Sequence, residues 1–299
     1  MRRSYCTLPS GGDCSYSEAV LVSDEMVIGH HAPQKGTTSN CQARAPLKSQ
    51  RRRVWITVRH AFQQLERTMM NQALTPGAKP ARILKDKLIQ GQTVYGTLIQ
   101  HAVVPAIVDF IPDNSIDFVI VTAEHNALDI ADFMPLRYAL AAKGIACLAR
   151  THSRDADDVA KVCDSFDGVV IPYAEDVEQL KRLAAAAVYR PLKGEALERV
   201  IKEGRWPSDK TRRYVTEEKC ADTLFVPMIE SVRAVENLEA ICVIPGVSAL
   251  FIGPNDLTTN MGIPNEYDHP DFIAMVQRII DAGERRHIPA GSWFAKTDQ

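Results

Sequence analysis

From about residue 92 the chain repeats one alternation. A short, wholly apolar and β-branched run is followed by a longer stretch with helical spacing. The apolar runs are residues 94–99 (VYGTLI), 118–123 (FVIVTA), 145–149 (IACLA), 168–173 (GVVIPY), 223–229 (TLFVPMI), 249–253 (ALFIG) and 288–294 (IPAGSWF). Continuous rather than alternating apolar runs predict parallel strands buried on both faces. Between them the pattern predicts helices over 129–143, ending at Gly144, and over 154–165, following Ser153 with acids in the first turn. Further helices are predicted over 175–188, over 232–242 behind Ser231, and over 271–286 behind Pro270. Seven strand-then-helix units make an α/β protein with a parallel sheet. Polar residues recur just past the apolar runs: Glu124 and Arg150 are 26 residues apart, as are Glu230 and Asp256. The C-terminal ends of strands are where a (β/α)8 TIM barrel builds its active site. An open sheet also binds ligands at strand ends, but usually through a glycine-rich nucleotide loop. Neither GxGxxG nor GxxxxGK[ST] occurs in the sequence.

The first 80 residues lack this regularity. Residues 1–50 are rich in Ser, Gly, Thr, Cys and Gln with no sustained period, and predict a poorly ordered extension. Residues 55–72 have the spacing of one amphipathic helix, broken by Pro76-Gly77. The expected organisation is an N-terminal extension over 1–80 and a barrel domain over 81–299. The 299 residues are 45% hydrophobic and 24% charged with a formal net charge of -2, so no global basic field points to nucleic acid. Arg51-Arg52-Arg53 is too short to change that. Seven cysteines are scattered singly without a CxxC pair, which fits a reducing compartment. No run approaches the roughly 18 apolar residues needed to cross a bilayer. The acids Asp13, Glu18, Asp24 and Glu25 argue against a transit peptide. The expectation is a cytoplasmic protein with neither nucleic acid nor membrane as partner.

Four clusters at strand ends carry candidate chemistry. Thr122-Ala123-Glu124-His125-Asn126 offers His125 as a base near neutral pH, or as a surface histidine bonded to Glu124. Arg150 closes a buried strand, where a guanidinium either meets an anion or caps the barrel in a salt bridge. Glu230 and Asp256 occupy equivalent places in consecutive units. Together they form a hard, oxygen-rich pair suited to Mg²⁺ or Mn²⁺, with water and substrate oxygens completing the shell. Each acid taken alone reads equally as a helix cap or ion-pair partner. Gly253-Pro254 forces a turn that aims loop N–H groups at a bound carboxylate. Asp164, by its position before a strand, is a helix-end or turn residue.

The segments TAEHNALD (122–129), CLART (147–151), VPMIES (226–231) and IGPNDL (252–257) resemble the HpcH/HpaI aldolase family of class II, metal-dependent pyruvate aldolases. The resemblance covers about residues 92–294. It implies a (β/α)8 barrel, metal ligands Glu230 and Asp256, and His125 as general base acting through water. It further implies that Asp164 orients His125, that Arg150 stabilises the pyruvate enolate, and that Gly253, Asn255 and Asp256 receive the substrate carboxylate. The implied reaction is reversible cleavage of a 4-hydroxy-2-oxo acid to pyruvate and an aldehyde. The implied cofactor is a divalent metal (Mg²⁺, Mn²⁺ or Co²⁺), and the implied assembly a homo-oligomer.

The sequence departs from the family at three places. The pattern Asp-x-Glu-His has Thr122 for its first acid. The pocket-shaping Arg-Gly-Val-Gly stretch is replaced by residues 189–194, which lead into a basic insert. The chain also ends after its seventh strand, so the expected architecture is a TIM barrel lacking the eighth strand and the C-terminal helices. Such a barrel leaves its first and seventh strands unpaired, which predicts a truncated product or a partner chain over the gap. Two competing readings follow. A CoA-ester lyase of the malyl-CoA or citramalyl-CoA type would use the basic insert 190–213, and a non-catalytic barrel remnant would keep the motifs without closing.

Overall fold

The computed structural model describes residues 17–22 and 79–294. Chain contacts group Met1–Glu25 with Lys79–Gln299 in one unit and Met26–Ala78 in another, and every described residue belongs to the first. The expected helix over 55–72 and the arginine run lie outside the described residues.

Seven strands run parallel in sequence order: β2 Val94–Ile99, β3 Phe118–Thr122, β4 Ala146–Arg150, β5 Gly168–Ile171, β6 Leu224–Ile229, β7 Leu250–Ile252 and β8 Ala290–Phe294. All residues of β3 through β7 are buried. This is the cause of their unbroken apolar character: a helical layer covers one face and the barrel interior the other. Only β2 alternates, with Tyr95 exposed. Gly96 is required there, because a Cβ would stand 2.4 Å from the Phe118 ring that fills the interior.

No eighth parallel strand occurs among the described residues, yet the two edges are paired. Strand β1, Ser17–Val22, runs antiparallel to both β2 and β8 and closes the barrel. Val20 pairs with Tyr95 on one side and Ser292 on the other. This corrects two expectations. A segment assigned to the poorly ordered extension is part of the sheet, and the gap is covered from within the chain. Closure satisfies backbone N–H and C=O groups that an edge would leave open.

The N-terminal mouth is stoppered by α1, Pro80–Ile89, an element the sequence reading passed over. Pro80 sits at its first turn, and Ala81, Leu84 and Leu88 bury into the barrel core with Leu98, Phe118, Leu224 and Phe251. The remaining helices follow the predicted pattern with adjusted starts. Residues 130–133 form a 3₁₀ turn before α2, Met134–Ala142, and Gly144 follows with φ +79°. Helix α3, Ala156–Ser165, is capped by Asp155, which accepts from the Asp157 N–H at 2.8 Å. Ser153, the expected cap, instead donates to Asp158 at 2.7 Å. Asp176 caps α4, Val177–Val188. The insert forms α5, Gly194–Glu203, and α6, Asp209–Arg213, with a π turn over Tyr214–Lys219. The expected helix over 232–242 is two short pieces, α7 Val232–Glu236 and α8 Leu238–Ile241, with Ser231 capping the first at 3.2 Å. Helices α9, Pro254–Asn260, and α10, Pro270–Glu284, both open on proline. Among the described residues no helix is long and apolar enough to cross a membrane.

Candidate active site

The C-terminal ends of β3, β4, β5, β6 and β7 collect the polar residues that the strand-end pattern singled out. Glu230 follows β6 and is 1% exposed. Its Oε1 accepts the backbone N–H of Tyr173, just past β5, at 2.6 Å. On the other side stands Gly253, where a Cβ would lie 2.4 Å from Glu230 Oε2. Only glycine lets the β7 turn come this close. Asp256, in the first turn of α9, accepts the Tyr173 hydroxyl at 3.3 Å. One residue thus links the two carboxylates.

Burial is the largest cause that lifts the Glu230 carboxyl to about 7. The Tyr173 N–H pulls it back down, the charges of Asp256 and Glu124 raise it, and Arg150 lowers it. The Tyr173 phenol is held above its ordinary value by burial and then by Asp256, so it is a donor at neutral pH. A buried carboxylate beside like charges is an arrangement that a divalent cation would relieve, and both donors are hard oxygens. Glu230 and Asp256 therefore fit a metal ion. Among the described residues no group of three or more His, Cys, Asp or Glu side chains is arranged to hold one. The pair would leave its other positions to water and substrate.

Arg150 is buried at the end of β4. Its Nε donates to Thr122 Oγ1 at 2.8 Å and lies 3.1 Å from Glu124 Oε2. Its Nη1 faces Met228 Sδ at 4.0 Å, toward the interior of the barrel mouth. Thr122, which replaces the acid of the family pattern, also accepts the Glu124 N–H at 3.1 Å. A hydroxyl in that place anchors the guanidinium and the loop together without adding charge.

His125 adopts φ +64°, an uncommon conformation for a residue with a side chain. Asn126 holds the turn, donating to the carbonyls of Gln100 and Thr122, each at 2.8 Å. The ring is 58% exposed and its Nε2 lies 3.9 Å from Glu124 Oε2. His125 thus reaches the site through Glu124. At α9, the N-cap Gly253 has no side chain to offer the first-turn amides of Asn255 and Asp256.

Asp164 is not brought to this cluster. It sits in the last turn of α3, before β5, so it belongs to the opposite mouth. There it is 57% exposed and accepts from Arg190 Nε at 3.0 Å. Arg190 also reaches the Cys163 carbonyl and Thr223, which ties α3 to the start of β6. The basic insert is likewise outside the cluster. Helix α5 packs against α4, and Lys193 meets Asp157 on α3 at 3.9 Å. Its other cations pair with their own neighbours, Arg199 with Glu195 at 3.4 Å and Lys202 with Glu198 at 3.0 Å.

Two residues of the cluster were absent from the expected set. Glu124 is expected as a strand-end polar residue and a bonding partner of His125 but not as a site residue, and it stands between that ring and Arg150. Tyr173 had not figured at all, although it lies at a strand end by the same rule that picked out Arg150 and Glu230.

A model of the HpcH/HpaI aldolase/citrate lyase family matches residues 102–298. The chain is 30% identical over 179 residues to a pyruvate aldolase of Rhizobium etli, covering 58% of this chain and 68% of that protein. It is 29% identical over 208 residues to a hydroxypyruvate/pyruvate aldolase of Chromohalobacter salexigens, covering 68% and 79%. Among solved structures, an HpcH/HpaI aldolase from Desulfitobacterium hafniense superposes with a TM-score of 0.58 at 26% identity, covering 69% of this chain and 80% of that one.

Proposed function

The chain belongs to the HpcH/HpaI aldolase/citrate lyase family, and from that premise we propose that it is a divalent-metal-dependent aldolase cleaving a 4-hydroxy-2-oxo acid to pyruvate and an aldehyde. The observation that carries the reading is the meeting of Glu230, Asp256 and Arg150 at adjoining strand ends, with Tyr173 joining the first two. Glu230 and Asp256 would hold Mg²⁺, Mn²⁺ or Co²⁺, which when bound would supply Lewis acidity to the 2-oxo group. The amides of Asn255 and Asp256 bind the substrate carboxylate beside it. His125, through a water molecule, takes the proton of the C4 hydroxyl as the C3–C4 bond breaks. The released electron pair becomes the enolate of pyruvate, whose oxygen is held by the Arg150 guanidinium. Glu124 and Thr122 fix that guanidinium from behind through its Nε, leaving the Nη end for the enolate. Protonation at C3 then gives pyruvate.

Asp164 has no part in this reading within one chain, because its carboxylate is engaged at the other mouth. A CoA ester as substrate loses its main support, since helix α5 of the basic insert packs against α4 and its cations are ion-paired. The remnant reading rested on an open barrel, and β1 closes it.

The test is exchange of the pyruvate methyl protons with solvent in D₂O, with added Mg²⁺, Mn²⁺ or Co²⁺ and with EDTA. Metal-dependent exchange that disappears in Glu230→Ala is expected. Exchange in EDTA equal to that with metal, or no exchange under any condition, would overturn the reading.

A further inference from the structure

We propose that Tyr173 is a positioning residue that sets the separation and orientation of the two metal-binding carboxylates, an inference that rests on the reading of Glu230 and Asp256 as ligands. Tyr173 follows β5, while the carboxylates follow β6 and sit in α9. It donates a hydrogen bond to each carboxylate: its backbone N–H to Glu230 Oε1 at 2.6 Å and its hydroxyl to Asp256 Oδ1 at 3.3 Å. Each bond engages one oxygen of its carboxylate, which leaves the other oxygen of each for a cation.

The backbone at Tyr173 has φ +48°, in the left-handed region that non-glycine residues seldom enter. Two of its neighbours explain why this conformation is kept. The Ala174 N–H donates to the Met228 carbonyl at 3.2 Å, pinning the turn to β6 two residues before Glu230. The Arg154 guanidinium stands over the phenol ring, 5.9 Å from its centroid, and holds the ring toward Asp256. A glycine would relieve the backbone but would remove the hydroxyl. Tyr173 is therefore a strained residue whose side chain and main chain each hold a different ligand. Outer contacts of this kind orient metal ligands, and losing one typically weakens metal binding by about 10–100-fold.

The test is Mn²⁺ affinity of the metal-free protein, read by the electron paramagnetic resonance signal of the free ion. Tyr173→Phe deletes the hydroxyl and keeps the ring and the backbone N–H. The expected result is a Kd raised about tenfold with an unchanged melting temperature. At saturating Mn²⁺, exchange of pyruvate protons should return to near the wild-type kcat, because positioning is lost and no reacting group is. An unchanged Kd overturns the proposal while the metal reading stands. Where Tyr173→Phe melts early, Arg154→Ala carries the test: it keeps the hydroxyl and frees the ring. A Kd raised several-fold then supports the proposal, and an unchanged Kd overturns it. Wild-type protein that binds no Mn²⁺, or Glu230→Gln that binds it as well as wild type, defeats the underlying metal assignment instead.

Discussion

Glu230 should destabilise the metal-free protein, and its replacement by glutamine should reveal by how much. Its carboxyl titrates at about 7 in the folded state, against an ordinary 4.5. Below pH 4.5 both folded and unfolded chains carry the proton, and the residue costs nothing. As pH rises from 4.5 to 7 the unfolded chain releases the proton while the folded chain keeps it, so folding loses stability throughout that window. Above 7 the cost is constant. At about 1.36 kcal/mol per pH unit, the full penalty is about 3 kcal/mol, of which roughly a quarter is expressed at pH 5. Glutamine keeps the shape and an oxygen for the Tyr173 N–H but cannot ionise. In EDTA, Glu230→Gln should exceed wild type by about 3 kcal/mol at pH 8 and by less than about 1 kcal/mol at pH 5. For a domain of this size that is a shift of roughly 6–12 °C at pH 8. Urea melts at the two pH values measure it. Saturating Mg²⁺ should reverse the order at pH 8, because only the wild type gains stability from the bound ion. An equal gap at pH 5 and pH 8 would refute the reasoning, since it would place the effect in packing rather than in the buried charge.

Two further substitutions probe the site and its scaffold. Gly253→Ala places a methyl 2.4 Å from Glu230 Oε2 and should raise the Mn²⁺ Kd by at least about tenfold, measured by titration; tight binding would show that the turn yields instead. Val20→Pro deletes a backbone N–H from the strand that closes the barrel between β2 and β8, and should cost about 3 kcal/mol in a urea melt, whereas a cost near zero would show that β1 contributes no stability.

Much of the barrel was legible because burial on both faces writes itself into composition. The runs FVIVT, ACLAR and LFVPMI are apolar at nearly every position, and each is a strand whose residues are all buried. Polar residues just past such runs could be placed at one mouth for the same reason. Local rules were weaker where two candidates competed. Asp155 and Ser153 are both good caps, and the structure uses Asp155 for the helix and Ser153 for Asp158. Helix α1 was readable from its Pro80 start and its buried Ala81, Leu84 and Leu88, but it is short and directly follows the irregular segment before it.

By itself, then, the sequence determined the parallel α/β architecture, the seven strand runs, and the strand-end placement of Glu230, Asp256 and Arg150, because these depend on spacing within single units. Tertiary structure decided what depends on contacts between distant units. The six-residue β1 carries too little pattern to announce a strand, and its partners begin more than 70 residues away. Tyr173 gains meaning only when β5, β6 and α9 converge, across separations of 57 and 83 residues. Asp164 has a site role only through the family resemblance, and the direction of α3 assigns it to the other mouth. The proton affinity of Glu230 is likewise a property of the assembled barrel, since burial, its largest cause, exists only once the strands close around it.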